Sequence, residues 1–355
     1  MPTRAEVLRA RLPEGAQAAL LHNPTNMRYL SGYKGEGLVL IGGARPAIVT
    51  DFRYTEQATQ EAPDFEVHEI STGRGHDAVA YACLQAMGAS CVAIEEGTVT
   101  YAQYKALCAA MPGVTFVSLD GVPEKMREIK DEDEARHLAQ ANAITAAAFD
   151  YICTFIQPGV TEKQIAMALE RWMLEHGAES VAFATIVASG PNGSLCHAIP
   201  GARPVQSGDL ITMDYGARVN GYCADMTRTV ALGQISDAQR RMYDTVFTAQ
   251  ALALAAVKPG TPCRQVDAAA RNYIDGAGYA GRFGHGLGHA TGLDIHENPR
   301  CNATSEATLA EGMTMTIEPG IYVPGVGGVR IEDSVLVTAE GCRILTPAPK
   351  QLVTL

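Results

Sequence analysis

The chain has 355 residues, 47% of them apolar and 19% charged, with 28 basic against 39 acidic side chains and a formal charge of −11. Length and apolar content suit two globular domains with an ample core, while the acidic balance argues against a nucleic-acid or anionic-membrane surface. Nine scattered cysteines without a CxxC pair argue against a disulfide framework or a zinc ribbon, so a reduced, cytoplasmic setting is expected.

The first residues, MPTRAEVLRARLPEG, contain no apolar run of the kind a secretory signal needs. Up to residue 123, β-rich runs alternate with helical patterns. Leu38–Ile41, Ala47–Thr50, Cys91–Ile94 and Thr115–Leu119 are predicted strands, and Val79, Ala82, Cys83, Ala86 and Met87 recur as one face of a helix. Residues 1–123 therefore read as an α/β domain. The charged run Glu124–Arg136 passes directly into apolar helical periodicity, as a solvated linker and helix start do, and sets the expected boundary of a second domain, 124–355. Ser180–Ala202 lacks ionisable acids, lysine and arginine, but Pro191, Asn192, Gly193 and His197 make it a poor membrane span.

The second domain repeats itself. Gln157-Pro158-Gly159 recurs as Lys258-Pro259-Gly260, and Gln164, Ile165 and Ala168 correspond to Gln265, Val266 and Ala269. Gly177 and Gly278 follow, where helices commonly end on a left-handed residue. His197-Ala198-Ile199-Pro200 is echoed by His296-Glu297-Asn298-Pro299. Asp214 stands six residues after Gly208, as Glu318 stands six after Gly312, and each is followed past a predicted hairpin by another carboxylate, Asp225 or Glu332. A period of about a hundred residues indicates duplicated half-domains rather than a solenoid.

Four carboxylates converging in pseudo-symmetric pairs would repel one another unless a cation neutralised them. The stretch GHGLGHATGLDIHENP adds His285, His289 and His296 within twelve residues, among four glycines. Carboxylates with one neutral histidine suit manganese, cobalt, iron or zinc, and the donor set does not choose among them. Two such ions polarise a carbonyl and lower the pKa of water, the requirements of hydrolysis at neutral pH.

MDYGARVNGYCADMTRTV, GHGLGHATGLDIHENP, MTIEPGIYV and GVRIEDSVLV together resemble the pita-bread metallopeptidases, the family of methionine aminopeptidase, aminopeptidase P and prolidase. NMRYLSGYKGEGLVLI and TDFRYTEQA more loosely resemble the creatinase-type N-terminal domain. The implied fold is α+β: a duplicated pita-bread catalytic domain after a smaller α/β creatinase-like domain. By this resemblance Asp214, Asp225, His289, Glu318 and Glu332 hold two divalent ions, manganese first among them, with Asp225 and Glu332 shared by both. Glu318 then handles the proton of the attacking water, His296 and His197 steady the tetrahedral intermediate, and His285 lines the proline side of the pocket. Arg330 is typical of the proline-specific members. His285 reads equally as a hydrogen-bonded scaffold histidine, and Arg330 as an ion-pair partner of a ligand carboxylate.

The implied activity is removal of an N-terminal residue that precedes proline, as in an Xaa-Pro aminopeptidase, by a cytoplasmic homodimer acting on peptides. The alternative is a strict Xaa-Pro dipeptidase, which needs a positive group for the substrate's terminal carboxylate. A catalytically silent peptide-binding relative is disfavoured, because all five ligand positions are filled.

Overall fold

The structure, a computed structural model, describes residues 2–355. It divides into two compact units, Met1–Arg127 and Glu128–Leu355.

The first unit is built on one six-stranded mixed sheet. Its strands are β1 (Ala18–Leu21), β2 (Leu38–Gly42), β3 (Ala47–Thr50), β4 (Glu66–Glu69), β5 (Cys91–Ile94) and β6 (Thr115–Ser118), in the order β4-β3-β2-β1-β5-β6. The four predicted strands form within a residue of their expected ends. Strand β1, AALL, is not among them: all four residues are buried, so no alternation marks it, and alanine and leucine favour helix. The predicted helix spans His76–Ala86, but it buries Val79, Ala80, Cys83 and Leu84 and leaves Ala86 exposed. The apolar stripe is thus rotated from the expected face, because the large Leu84 outweighs the small Ala82 and Ala86 in what burial gains.

In the second unit each half begins with two helices. Glu132–Phe155 and Glu162–Glu175 open the first half, and Asp237–Ala256 and Cys263–Ile274 the second. Three of the four start on reciprocal capping boxes, Asp131 with Glu134, Thr161 with Gln164 and Ser236 with Gln239, each satisfying two otherwise unpaired N–H groups. Gly177 and Gly278 sit past the ends of the second helix of each pair with φ of +102° and +91°, the left-handed region a glycine enters freely.

The strands of the first half are β7 (Ser180–Val181), β8 (Ile186–Ser189), β9 (Leu210–Tyr215), β10 (Ala217–Val219), β11 (Tyr222–Cys223) and β12 (Met226–Ala231). Those of the second are β13 (Gly288–Ala290), β14 (Glu297–Cys301), β15 (Thr314–Ile317), β16 (Gly320–Val323), β17 (Gly327–Arg330), β18 (Asp333–Thr338) and β19 (Gly341–Ile344). Each half contains an antiparallel pair of longer strands, β9 with β12 and β15 with β18, interrupted by a short hairpin, β10/β11 or β16/β17. This is the duplicated pita-bread arrangement. Each half buries its own apolar cluster between helices and sheet, Ile165 and Leu169 against Ile211 and Met213, and Val246 and Val266 against Met315 and Val335.

The halves are bonded where β12 meets β17. Thr229 Oγ1 donates to the Arg330 carbonyl at 2.9 Å, and Glu332 N donates to the Thr227 carbonyl at 3.1 Å. Arg228, only 1% exposed, satisfies all five of its N–H groups: on the carbonyls of Thr227, Glu332, Ala348 and Pro349, and on Asp333 Oδ1 at 2.8 Å. The other oxygen of Asp333 accepts from Gln250 Nε2 at 2.9 Å and Lys350 Nζ at 2.6 Å. Among the described residues no helix is long and apolar enough to cross a membrane, and all nine cysteines are free.

Arg228→Met leaves four carbonyls without their donor and Asp333 without its fully buried partner, so it should lower unfolding stability by roughly 3–5 kcal/mol, measured by urea denaturation. Arg228→Lys should recover only a minor part, because an ammonium has three donors and no planar fork.

Candidate functional site

The four repeated carboxylates all lie at the joints between long strands and hairpins. Asp214 is the penultimate residue of β9, Asp225 links β11 to β12, Glu318 links β15 to β16, and Glu332 links β17 to β18. At such a joint the chain leaves one pairing for another, so the side chain turns from the core toward the space between the two halves. Ligand oxygens of Asp214, Asp225 and Glu332 lie within 4.8 Å of one another, and all three residues are buried. Eight of the nine predicted site residues line a single cavity of about 570 Å³: Asp214, Asp225, His289, Glu318, Arg330, His197, His285 and His296. Glu332, 1% exposed, lies behind them.

Two glycines shape the histidine stretch. A Cβ on Gly288 would lie 1.9 Å from the Thr316 carbonyl, so only glycine lets β13 approach β15, and this brings His289 beside Glu318. A Cβ on Gly292 would lie 2.4 Å from both oxygens of Glu297, whose carboxylate folds back under the loop. There Glu297 accepts from Asp294 N at 3.2 Å and from the buried Lys130 Nζ at 3.0 Å, which fixes the backbone next to His296.

His289 Nδ1 faces the Ala290 carbonyl at 3.2 Å; a carbonyl only accepts, so Nδ1 carries the hydrogen. Burial, and then the neighbouring His296, lowers the His289 pKa to about 3, so the ring is neutral and Nε2 is a lone pair. That lone pair lies 3.5 Å from Asp225 Oδ2 and 3.4 Å from Glu318 Oε1. Three acceptors face one another with no hydrogen to share among them, Glu318 Oε1 taking its one donor from Thr316 Oγ1, and form a cradle for a cation. Asp214 Oδ1 and Glu332 Oε1 are likewise buried without a hydrogen-bond partner. Burial raises the carboxyls of Asp225 and Glu332 well above their usual range, their acidic neighbours raise them further, and Glu318 is pushed up to about 7. Buried oxygen donors, one imidazole and no thiolate fit hard or borderline divalent ions.

The remaining predicted residues differ in what engages them. His285 is committed at both nitrogens: Nδ1 donates to the Gly286 carbonyl at 2.8 Å and Nε2 accepts from the Tyr322 hydroxyl at 2.8 Å. Arg330, 3% exposed, donates to Asp214 Oδ2 at 2.7 Å, the Tyr322 hydroxyl at 2.9 Å, the Cys196 carbonyl at 3.2 Å and Thr227 Oγ1 at 2.9 Å. His197 and His296 are exposed, and the His296 ring stands edge-on to His289 with centroids 4.4 Å apart.

Sequence reasoning did not single out Arg300, Tyr322, Thr227 or Lys130. Tyr322 and Thr227 lie inside the motifs quoted, but their partners are distant in sequence and no local period points to them. Arg300 has no counterpart in the first half; its place follows from register, since it stands directly opposite His289 across β13 and β14. Side chains directly opposite in an antiparallel pair leave the same face of the sheet.

Residues 136–339 match the model of metallopeptidase family M24, and residues 4–129 that of the creatinase/prolidase N-terminal domain. The chain belongs to metallopeptidase family M24. It resembles the Xaa-Pro dipeptidase of Bacillus anthracis, with a TM-score of 0.96 and 39% identity over 99% of each chain. It also resembles the X-Pro aminopeptidase of Thermotoga maritima, with a TM-score of 0.91 and 37% identity over 96% of this chain and 98% of that one. The Xaa-Pro dipeptidase of Pyrococcus furiosus is 39% identical over 258 residues, 73% of this chain and 74% of that protein. As an M24 metallopeptidase the protein is a hydrolase, and its buried acidic cluster is the candidate metal centre.

Because burial and mutual repulsion raise the carboxyls of Asp225, Glu332 and Glu318 while the His289 pKa is lowered, any protons a divalent ion displaces should come from the acids. Metal affinity should therefore rise with pH through the region near 7 in which Glu318 ionises. Calorimetric titration of the chelator-stripped chain with Mn2+ at pH 6, in buffers of different ionisation enthalpy, should show proton release that shrinks by pH 8.

Proposed function

We propose that this M24 peptidase is an Xaa-Pro dipeptidase requiring two divalent ions, held by Asp214, Asp225, His289, Glu318 and Glu332. The donor set accommodates manganese, cobalt, iron or zinc, and manganese remains the ion to test first. When bound, the ions supply Lewis-acid polarisation of the scissile carbonyl and a lowered pKa for water.

The observation that carries the choice of substrate is Arg300. It lines the cavity, is exposed, and makes no hydrogen bond or ion pair among the described residues. Its charge is felt at the site, since it helps depress the pKa of both His296 and His289. A dipeptide ends in a carboxylate directly after the proline, where a longer peptide continues as a neutral amide. A free guanidinium in the cavity favours the carboxylate, by the paired planar geometry that arginine offers. This supports the dipeptidase, the alternative at the level of sequence, over the aminopeptidase first expected. The names of the relatives from Bacillus anthracis and Pyrococcus furiosus favour the same reading, and that of the Thermotoga maritima protein keeps the aminopeptidase as the second.

The chain's own groups divide the remaining work. Glu318 lines the cavity beside His289, where the family resemblance gives it the proton of the attacking water. The rings of His197 and His296 make no hydrogen bond among the described residues, which leaves them free to donate to developing negative charge. His285, with both nitrogens engaged, acts as pocket wall, and Arg330 orients Asp214.

Wild-type enzyme loaded with Mn2+ should cleave an Xaa-Pro dipeptide with kcat/KM at least tenfold above that for the Xaa-Pro amide or an Xaa-Pro-Yaa tripeptide; equal rates would establish the aminopeptidase reading instead. Arg300→Met should raise KM for the dipeptide by about 10- to 100-fold, the loss of one charged hydrogen-bonded pair, and leave the amide unaffected. Chelation, or Asp225→Asn, should abolish turnover of all three substrates.

A further inference from the structure

Between the two halves of the site runs a directional relay that joins opposite carboxylates through a single hydroxyl. Thr227 is fully buried and pairs in register with Asp214 across β9 and β12. Its Oγ1 accepts from Arg330 Nε at 2.9 Å and stands 2.7 Å from Glu332 Oε2. A guanidinium has no acceptor, so the bond from Arg330 takes a lone pair of the hydroxyl and leaves its one hydrogen for the carboxylate. The same guanidinium donates through Nη2 to Asp214 Oδ2 at 2.7 Å. One oxygen on each of two opposing acids is thereby occupied, Asp214 directly and Glu332 through Thr227. The remaining oxygens, Asp214 Oδ1 and Glu332 Oε1, are the two buried carboxylate atoms in the cluster without a partner. Threonine suits the task because its β-branch restricts χ1, which holds the hydroxyl in one place. The backbone reinforces it, since the Thr227 carbonyl accepts from Glu332 N at 3.1 Å.

We propose that Thr227 is a positioning residue for metal binding: its hydroxyl, held by Arg330, fixes the rotation of the Glu332 carboxylate that would face the ions. The proposal rests on the assignment of Glu332 and Asp214 as metal ligands and adds to it a residue that is not itself a ligand. Without the hydroxyl, Glu332 has no donor on either oxygen and its carboxylate is free to rotate, so each ion must order it on binding.

Thr227→Val replaces the hydroxyl by a methyl of nearly equal size, and Thr227→Ser keeps the hydroxyl and loses the methyl. Full-length wild-type and variant chains are stripped with chelator and titrated with Mn2+, followed by calorimetry and by the Mn2+ EPR signal. Thr227→Val should bind at least one equivalent of Mn2+ tenfold or more weakly, and at limiting Mn2+ its kcat on an Xaa-Pro dipeptide should fall while KM stays within about twofold. Thr227→Ser should bind within about threefold of wild type. A folded Thr227→Val chain with wild-type Mn2+ affinity overturns the proposal, as does a Thr227→Ser chain as impaired as Thr227→Val, which would assign the effect to packing of the methyl. Should Thr227→Val not fold, Thr227→Ala removes the same hydroxyl without adding an apolar group beside Arg330, and the same comparison applies. A wild-type chain that takes up no Mn2+ overturns the underlying metal assignment, an outcome separate from loss of the difference between variants.

Discussion

Bringing Asp214, Asp225, Glu318 and Glu332 into one poorly hydrated space is the constraint that governs this molecule. Like charges at such separation in a low-dielectric pocket repel by several kcal/mol, and burial alone already opposes each ionised form. The protein meets part of that cost with its own cations and donors. Arg330 neutralises Asp214, Thr227 holds Glu332, and Thr316 Oγ1 donates to Glu318 Oε1 at 2.9 Å. The partial character of this compensation matters: it steadies Asp214 and Glu332 on one side and leaves an oxygen of each bare on the other. A site compensated completely by protein would have no affinity left for metal.

The supporting layer is more fully hydrogen-bonded than the site it supports. Arg228, saturated on four carbonyls and one carboxylate, fastens the strand that carries Thr227 to the segment that carries Glu332 and Asp333. Lys130 and Glu297 do the same for the loop between His289 and His296. Both devices are buried ion pairs, which contribute little net stability against well-packed apolar residues but are costly to break on one side. Their value here is geometric, since they hold the ionisable groups of the candidate site at fixed separations.

How much of this was legible in the sequence depended on whether a feature repeats. The four carboxylates were found because the two half-domains place them at the same offset from a glycine, and the offset reflects a strand of fixed length ending at a hairpin. The family resemblance then selected His289 from three histidines, a choice the spacing alone could not make. Thr227 and Lys130 were not found, because each acts through a partner a long way off in sequence, and Tyr322 was not found because its hydroxyl joins Arg330, eight residues on, to the distant His285. Arg300 escaped because its meaning depends on the register of β14 against β13, which shifts at a bulge between His289 and Ala290. In the first unit, strand β1 was silent for a different reason: buried on both faces, it alternates nothing. The face of the helix His76–Ala86 was misjudged because small alanines give a periodic pattern without deciding which side is driven inward.

The bonds that complete the site join residues far apart along the chain: Arg330 to Asp214 across 116 positions, Thr227 to Glu332 across 105, and Thr229 to Arg330 across 101. Contacts of such separation close the largest loops and carry the largest closure cost. Each half carries only two of the four acids, so the full crowding arises where the halves meet. The complete acidic cluster exists only where the two halves meet, which makes it a property of the assembled chain and of neither half-domain by itself.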